Sequence, residues 1–320
     1  MDSVIEQWLQ GVVFGDMFRC RNMVVVPLFS SIDDSPGYLV LEEALKRKVV
    51  TVTEVSEGGS VPYLMAVNDS ATPVLILDGE ELVGAKQNRV LNTTVFLKGK
   101  SRTKIPVSCV EQGRWAYASR HFTTSSSVMA CELRARKYRG VARSLREEGI
   151  HCSDQGDVWV DVQDVLSRAG VHSPTRAMKQ AFDARKNDLD EYLSAFPWQA
   201  GQKGLMVLVN GEVAGLDFLS LDEACDKVYP KLLRSYAMNA LVNKEKGAGR
   251  SSLEKAKAFV GEIASLEEER YQAPGEGWDY RYSGKDVAGS VLVLGDTVLH
   301  AAFLKVKPRR RSTQMMVRER

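Results

Sequence analysis

The 320-residue sequence lacks the features that assign many proteins directly to a class. Its five cysteines stand at wide, irregular spacings with no CxxC pair, a pattern that favours a reducing compartment. No apolar run approaches the length of a membrane span, and acidic residues interrupt the apolar N-terminal stretch, so we expect no signal peptide either. From these absences we predict a cytoplasmic protein with no membrane partner.

Signature motifs of common enzymes are also missing. The sequence has no Walker loop, no GxSxG elbow and no GxGxxG following a strand, and it leaves any cofactor unknown. Cys109 with His121 could supply a nucleophile and a base, but a cysteine in a strand is more often a small buried residue. His121, Cys131, His151 and Cys152 lack the spacing of zinc ligands, so we predict no metal site.

Charge is nearly balanced, with 43 basic and 41 acidic residues, and the excess of basic residues lies at the C-terminus. Residues 305–320 form a basic tail that we expect to be disordered. A helix near residues 129–147 carries a second basic cluster, which we expect to be solvated. Nucleic-acid binding through both is our third hypothesis, disfavoured because aromatic residues are sparse there. The helix cluster comprises Arg134, Arg136, Lys137, Arg139, Arg143 and Arg146.

The order of apolar patterns predicts an α+β fold. Residues 49–110 alternate β-branched runs with turn residues, residues 126–196 have helical spacing, and strand patterns return after 204. We therefore expect a mixed or antiparallel sheet-rich N-terminal half, a helical middle, and C-terminal hairpins that return to the sheet. Residues 1–38 form an N-terminal segment in this scheme. Residues 39–304 form one domain, or two closely joined lobes at about 39–125 and 126–304.

Three segments read as hairpins, each with two apolar strands around a tight pair that contains glycine. The pairs are Asp78-Gly79, Asn210-Gly211 and Gly295-Asp296. The first two predict type I′ turns, which require positive φ at both central residues. Whether the three hairpins share a sheet cannot be decided from the sequence.

Two polar motifs follow apolar strands and contain our candidate site residues. In "GEELVGAKQNR" and the residues after it, donors outnumber acceptors, which suits a phosphate, a carboxylate or a nucleotide edge. In "VSCVEQGRW" an acid, an arginine and an aromatic ring follow a strand, as in many pocket walls. A solvated edge strand and a salt-bridged strand end are the alternatives. The candidates are Glu80, Glu81, Lys86, Gln87, Asn88, Arg89, Asn92, Glu111, Gln112, Arg114 and Trp115.

His300 is a lone imidazole in the apolar stretch "VLHAAF" and therefore needs a partner. A structural histidine and a catalytic one both fit that position. We include His300 among the candidate catalytic residues.

The phrases "LDGEELVGAKQNRVLNT" and "IPVSCVEQGRW" resemble the ARG and rhodanese-phosphatase-superfamily-associated protein domain family. The similarity extends from about Leu39 to "VLHAAF". The first phrase of the family name refers to ADP-ribosylglycohydrolases, and the family is linked to NAD and ADP-ribose metabolism by association with other proteins. The resemblance favours one shared site made of both motifs.

We therefore expect recognition, with hydrolysis left open, of an ADP-ribose-type or other NAD-derived ligand. Arg89 and Arg114 would bind its pyrophosphate, and Trp115 would stack on its base. Glu111, or alternatively Glu81, would act as general base on a water molecule. Gln87, Asn88 and Asn92 would contact ribose hydroxyls or amide edges of the ligand. A non-catalytic metabolite-binding or protein-docking module is the second hypothesis.

Overall fold

The computed structural model describes residues 1–32, 35–56, 58–243 and 251–309. Within these ranges the chain is an α+β protein. Its helices are α1 (Ser3–Gln10), α2 (Leu41–Lys46), α3 (Cys131–Glu148), α4 (Gln155–Arg168), α5 (Met178–Ala184), α6 (Lys186–Ala195), α7 (Asp222–Val242) and α8 (Leu253–Ile263). Its strands are β1 (Val12–Phe14), β2 (Phe18–Cys20), β3 (Met23–Ser30), β4 (Leu39–Val40), β5 (Val50–Glu54), β6 (Tyr63–Asn68), β7 (Val74–Ile76), β8 (Glu80–Gly84), β9 (Arg89–Leu91), β10 (Val95–Leu97), β11 (Ser101–Cys109), β12 (Phe122–Val128), β13 (Gly204–Val209), β14 (Glu212–Leu219), β15 (Glu267–Gln272), β16 (Trp278–Ser283), β17 (Val287–Leu294) and β18 (Thr297–Lys305).

A nine-stranded antiparallel sheet joins the two ends of the chain. Its order is β1-β3-β13-β14-β18-β17-β16-β15, and β2 also pairs with β3. Successive side chains of β3 point to opposite faces, because a strand has a two-residue period. Met23 and Val25 pack in the cluster that includes α3 and α7, whereas Val24 and Val26 pack with α1 and α8. The sheet is therefore covered by helices on both faces.

The N-terminal half forms two smaller sheets, as the β-branched runs predicted. One has the order β12-β8-β9-β11-β6-β5, and the other has the order β10-β7-β4. All of their pairings are antiparallel except the parallel pairing of β4 with β7. Helix α7 contacts β13 and β14 on one side and β12 on the other, which connects the large sheet to the six-stranded sheet.

Two of the three predicted hairpins form and share the large sheet. Strands β13 and β14 connect through Asn210 and Gly211, whose φ values of 55° and 85° are those of the predicted type I′ turn. Strands β17 and β18 form the last hairpin, and β18 pairs with β14. Both strand pairs therefore lie in one continuous sheet.

The prediction of a hairpin at Asp78-Gly79 is wrong. Strand β7 belongs to the three-stranded sheet and β8 to the six-stranded sheet, so the two do not pair. The Asp78 side chain is fully buried, because it binds Arg134 of α3. A Cβ on Gly79 (φ +71°) would lie 3.1 Å from the Arg134 side chain, so the glycine permits this close approach.

Arg134 is the centre of a fully buried ion network. Its Nη2 donates to Oδ1 of Asp78 at 3.0 Å and to Oδ1 of Asp217, on β14, at 2.7 Å. The Tyr236 hydroxyl of α7 donates to Asp217 at 2.7 Å. Burial alone would raise the aspartate pKa values, but Arg134 holds both below their usual range. The network thus joins α3, α7, the large sheet and the loop before β8.

The basic face of α3 is only partly solvated, contrary to our expectation. Arg134 and Lys137 are buried, and burial lowers the pKa of Lys137 to about 7. The Lys137 ammonium donates to the carbonyl of Leu91. Within the expected basic tail, Lys305 ends β18 and Arg309 binds Asp157 of α4. Residues 310–320 lie outside the described residues.

The domain boundaries that we expected stay predictions, although residues 1–38 contribute β1, β2 and β3 to the large sheet. Over the described ranges, no helix combines the length and apolar character needed to cross a membrane.

Replacing Arg134 by alanine should lower the free energy of unfolding by about 3–5 kcal/mol, because two buried carboxylates lose their counter-charge. Urea denaturation followed by circular dichroism measures this change. Arg146→Ala is the matched control. Arg146 lies on the same helix, half exposed beside Glu269, and its loss should change stability by less than about 1 kcal/mol. Equal losses in both variants would contradict a special role of Arg134.

Candidate functional site

The two polar motifs lie side by side because their strands pair. In the antiparallel pairing of β9 with β11, Arg89 lies opposite Cys109. The residues before β9 therefore meet those after β11. The backbone N–H of Val110 donates to the carbonyl of Asn88 at 3.0 Å, and the Gln87 amide donates to the carbonyl of Glu111. Sheet pairing thus brings together residues that are more than twenty positions apart in sequence.

Glu111 and Arg114 form a clamp on this junction. Arg114 binds Oε2 of Glu111 through Nε at 2.9 Å and Nη2 at 2.6 Å, and its Nη1 donates to the carbonyl of Ala85 at 2.8 Å. Glu111 also accepts from the Asn88 backbone N–H at 3.2 Å and the Thr175 hydroxyl at 3.0 Å. Because both Glu111 oxygens already have partners, this carboxylate is better suited to holding the loop than to activating water.

Arg89 is buried beneath Trp115 and only partly satisfied. Its Nη1 donates to Oε1 of Gln87 at 2.6 Å and contacts the Cys109 sulfur. Its Nε and Nη2 have no hydrogen-bond partner among the described residues, and Nη2 lies 4.0 Å from the Glu54 carboxylate. The guanidinium carbon is 5.4 Å from the Trp115 ring centroid. Buried donors of this kind are uncommon and often mark a ligand site.

Two exposed aromatic rings lie against Lys86, and one of them, Trp115, also covers Arg89. Trp115 is 50% exposed and Tyr117 is 54% exposed. The Lys86 ammonium lies 5.5 Å from the Trp115 ring centroid and 5.1 Å from that of Tyr117, and it donates to the carbonyl of Gly58 at 2.7 Å. We call Glu54, Lys86, Arg89, Trp115 and Tyr117 the Arg89 cleft.

An open cavity of about 890 Å³ adjoins the Arg89 cleft. Ser119 on its wall accepts the backbone N–H of Ala85 at 2.9 Å, which fixes the wall to the first motif. The cavity is wide enough for a nucleotide-sized molecule. It is lined by Thr53, Glu54, Ser56, Tyr117, Ala118, Ser119 and Arg120.

Glu81 is the other unsatisfied group of the motifs. Its side chain is fully buried, and neither carboxylate oxygen has a hydrogen-bond partner among the described residues. Burial raises the pKa of Glu81 to about 8, and the nearby Ser125 hydroxyl opposes part of that rise. The carboxyl group is therefore mainly protonated at neutral pH.

Several predicted ligand-binding residues have structural partners instead. Glu80, on the face of β8 opposite Glu81, accepts from the Lys231 ammonium of α7 at 2.9 Å. The Asn92 side chain accepts from the Ser108 hydroxyl at 2.7 Å. Gln112, on the surface, accepts from Arg176 at 2.8 Å. None of these contacts involves the Arg89 cleft.

His300 lies beside the Arg134 network. Among the described residues, its hydrogen bonds and ion pairs involve none of the other candidate site residues. Its Nδ1 is 2.8 Å from the Thr94 hydroxyl, and its Nε2 is 3.5 Å from the Asp217 carboxylate. The imidazole is fully buried. The Thr94 hydroxyl and the Asp217 carboxylate explain how a histidine is accommodated in an apolar strand.

Our sequence analysis missed Glu54 and Tyr117. Glu54 ends β5, and its side chain is only 4% exposed. An acidic residue that ends a strand gives a weak signal, whereas Tyr117 could have been found from its position two residues after Trp115. The described residues contain no group of three or more histidine, cysteine or acidic side chains that could hold a metal ion.

Fold and site together define an α+β protein with a polar cleft, rimmed by aromatic rings, at the junction of two sequence motifs. The sequence model of the ARG and Rhodanese-Phosphatase-superfamily-associated Protein domain matches residues 11–304, so the chain belongs to that family. The match begins ahead of Leu39, where we first placed the similarity. No curated protein and no solved structure matches the chain significantly.

Glu81→Gln should change how stability depends on pH. Because the folded-state pKa of Glu81 is raised, its own contribution to stability is fully present only below about pH 4.3, the pKa of an unfolded glutamate. This contribution is then lost as the pH rises to the folded value of about 8. The loss approaches about 1.4 kcal/mol per pH unit within that window.

Urea denaturation at several pH values between 5 and 8 measures this loss, and Glu81→Gln should flatten the profile. Glu80→Gln, at the adjacent position, is the control and should leave the slope unchanged. An identical slope in wild type and Glu81→Gln would show that Glu81 ionises normally.

Proposed function

We propose that this protein recognises an ADP-ribose-type or other NAD-derived ligand at the Arg89 cleft. The observation that carries the proposal is the buried Arg89 guanidinium beneath an exposed tryptophan, because its Nε and Nη2 have no hydrogen-bond partner within the described ranges. A phosphate oxygen is the acceptor that best suits two neighbouring guanidinium donors. The exposed aromatic rings beside it suit a nucleotide base.

The charges in the cleft favour a diphosphate over a neutral sugar. Lys86 lies between the two aromatic rings, close enough for its ammonium to meet a second phosphate group. A modest shift of the Trp115 ring would expose Arg89 to the first phosphate group of the ligand. One buried oxygen of Glu54 has no hydrogen-bond partner in the described part of the chain, and it could accept a hydrogen bond from a ribose hydroxyl.

Hydrolysis, if the protein performs it, is better assigned to Glu81 than to Glu111. Arg114, Thr175 and a backbone N–H occupy the Glu111 carboxylate, whereas the Glu81 carboxylate accepts no hydrogen bond from the residues that the structure describes. A protonated Glu81 would act first as a general acid, since its pKa lies near neutral pH. In the pairing of β8 with β9, Glu81 lies opposite Val90 and Leu82 lies opposite Arg89, so the Glu81 side chain points to the other face of the sheet from Arg89. Catalysis by Glu81 on a ligand in the Arg89 cleft would therefore require β8 to rearrange.

Trp115→Ala should abolish ligand binding without unfolding the protein, because the ring is half exposed. At about a hundred times its dissociation constant, ADP-ribose or NAD should stabilise the wild type by roughly 2.7 kcal/mol in a thermal-shift assay. Trp278→Ala is the matched control. Trp278 is 38% exposed and also stacks with an arginine, Arg270, but lies on β16. Its loss should leave the ligand-induced shift intact.

Arg114→Ala would be a weaker test, since the clamp with Glu111 would be lost as well. A shift that survives Trp115→Ala would place the ligand elsewhere. No shift with any nucleotide would favour the protein-docking module, for which the neighbouring exposed rings of Trp115 and Tyr117 are suitable.

Turnover is tested separately, by chromatography of NAD and ADP-ribose after incubation with the protein. If the wild type is active, Glu81→Gln should reduce the rate by about a hundredfold or more, a typical contribution of acid–base catalysis. Glu111→Gln is the comparison variant. Unchanged turnover in both would show that neither glutamate is catalytic.

A further inference from the structure

A second cavity, of about 390 Å³, lies between α3, α4 and the segment 306–309 that follows β18. It shares no lining residue with the Arg89 cleft. Six basic and three acidic side chains line it, together with four apolar ones. The basic residues are Arg136, Lys137, Arg139, Arg143, Lys307 and Arg309, the acidic ones are Asp154, Asp157 and Asp161, and the apolar ones are Met129, Leu133, Val158 and Val306.

The segment 306–309 is fixed as a wall on both sides. Arg136 of α3 donates to the carbonyl of Lys307 at 3.2 Å. Arg309 donates to Asp157 and Asp161 of α4 at 2.7 and 2.8 Å. The ends of the wall are therefore tied to the two helices that form the rest of the cavity.

All three acidic residues already have partners. Asp154 caps α4 by accepting the backbone N–H of Asp157 at 2.8 Å. Asp161 accepts from Arg136 at 2.7 Å as well as from Arg309. Two of the six basic side chains, Arg136 and Arg309, thus balance Asp157 and Asp161, and Asp154 caps a helix.

Three basic side chains retain unused donors. Arg143 is exposed and has no hydrogen bond or ion pair among the described residues, and the same is true of the Lys307 ammonium. Arg139 donates through Nη2 alone, to the carbonyls of Gly284 and Lys285, so its other nitrogens stay available. An excess of unpaired positive charge beside buried apolar side chains suits an anion that has an apolar body.

We infer that this cavity binds a small organic phosphate, with the phosphate at Arg139, Arg143 and Lys307 and the apolar part against the partly buried Val306. The volume is within the range of small-ligand sites, which favours a small molecule over an extended polyanion. This inference does not depend on the function proposed for the Arg89 cleft.

Calorimetric titration of the full-length chain with phenyl phosphate tests the inference. Phenyl phosphate should bind about tenfold more tightly than inorganic phosphate, because its ring covers apolar surface. Arg143→Ala should weaken binding of phenyl phosphate about tenfold, through loss of a charged donor. Arg146→Ala, one helical turn further along α3 and outside the cavity, should have no effect. Trp115→Ala should also leave it unchanged, which separates this site from the Arg89 cleft.

Three results would overturn the inference. Phenyl phosphate could fail to bind, or bind no better than inorganic phosphate. Arg143→Ala and Arg146→Ala could weaken it equally, as a diffuse basic surface would. A short single-stranded DNA could bind with a steep salt dependence and equal losses in both variants, which would indicate a nucleic-acid surface instead.

Discussion

The buried ion network around Arg134 is the interaction on which the rest of the structure depends. A guanidinium in the protein interior is costly unless carboxylates neutralise it, and here Asp217 comes from β14 of the large sheet and Asp78 from the loop between β7 and β8. The network therefore fixes α3 against the large sheet and against this loop at once. It also fixes the loop from which β8 begins, and β8 leads directly into the first polar motif. Arg134 thus connects the core to the Arg89 cleft without contributing to it.

The polar motifs combine two kinds of residue that look alike in sequence. Glu111 and Arg114 satisfy each other and hold two loops together, so their charges stabilise the shape of the junction. Arg89 and Glu81 are buried without full hydrogen bonding, which is unfavourable for folding. A bound ligand could accept the missing hydrogen bonds of Arg89, and a proton could neutralise Glu81. Arg89 and Glu81 are therefore stronger candidates for a functional role than Glu111.

The basic residues of α3 divide in a similar way. Arg134 and Lys137 face the core, whereas Arg136 binds α4 and the segment after β18. Only Arg143 remains unengaged among the described contacts of this group, since Arg139 and Arg146 also have partners. If it were fully solvated, α3 would offer a basic surface to any polyanion. In the folded protein it forms one wall of a small cavity instead. The difference lies in packing, because the amino-acid sequence of the helix is the same in either case.

The sequence by itself determined the α+β fold, the Asn210-Gly211 turn and the family, because strand periodicity, turn chemistry and long motifs are local signals. It also located the two motifs that meet at the cleft. Only the tertiary structure decided which motif residues pair with one another, since the register of β9 and β11 places Arg89 opposite Cys109 and brings Asn88 against Glu111, more than twenty positions away. Tertiary structure also explains why Asp78-Gly79, a strong local turn signal, does not form a hairpin: Asp78 binds Arg134 instead. A buried carboxylate and its counter-ion constrain the backbone more strongly than a turn preference does.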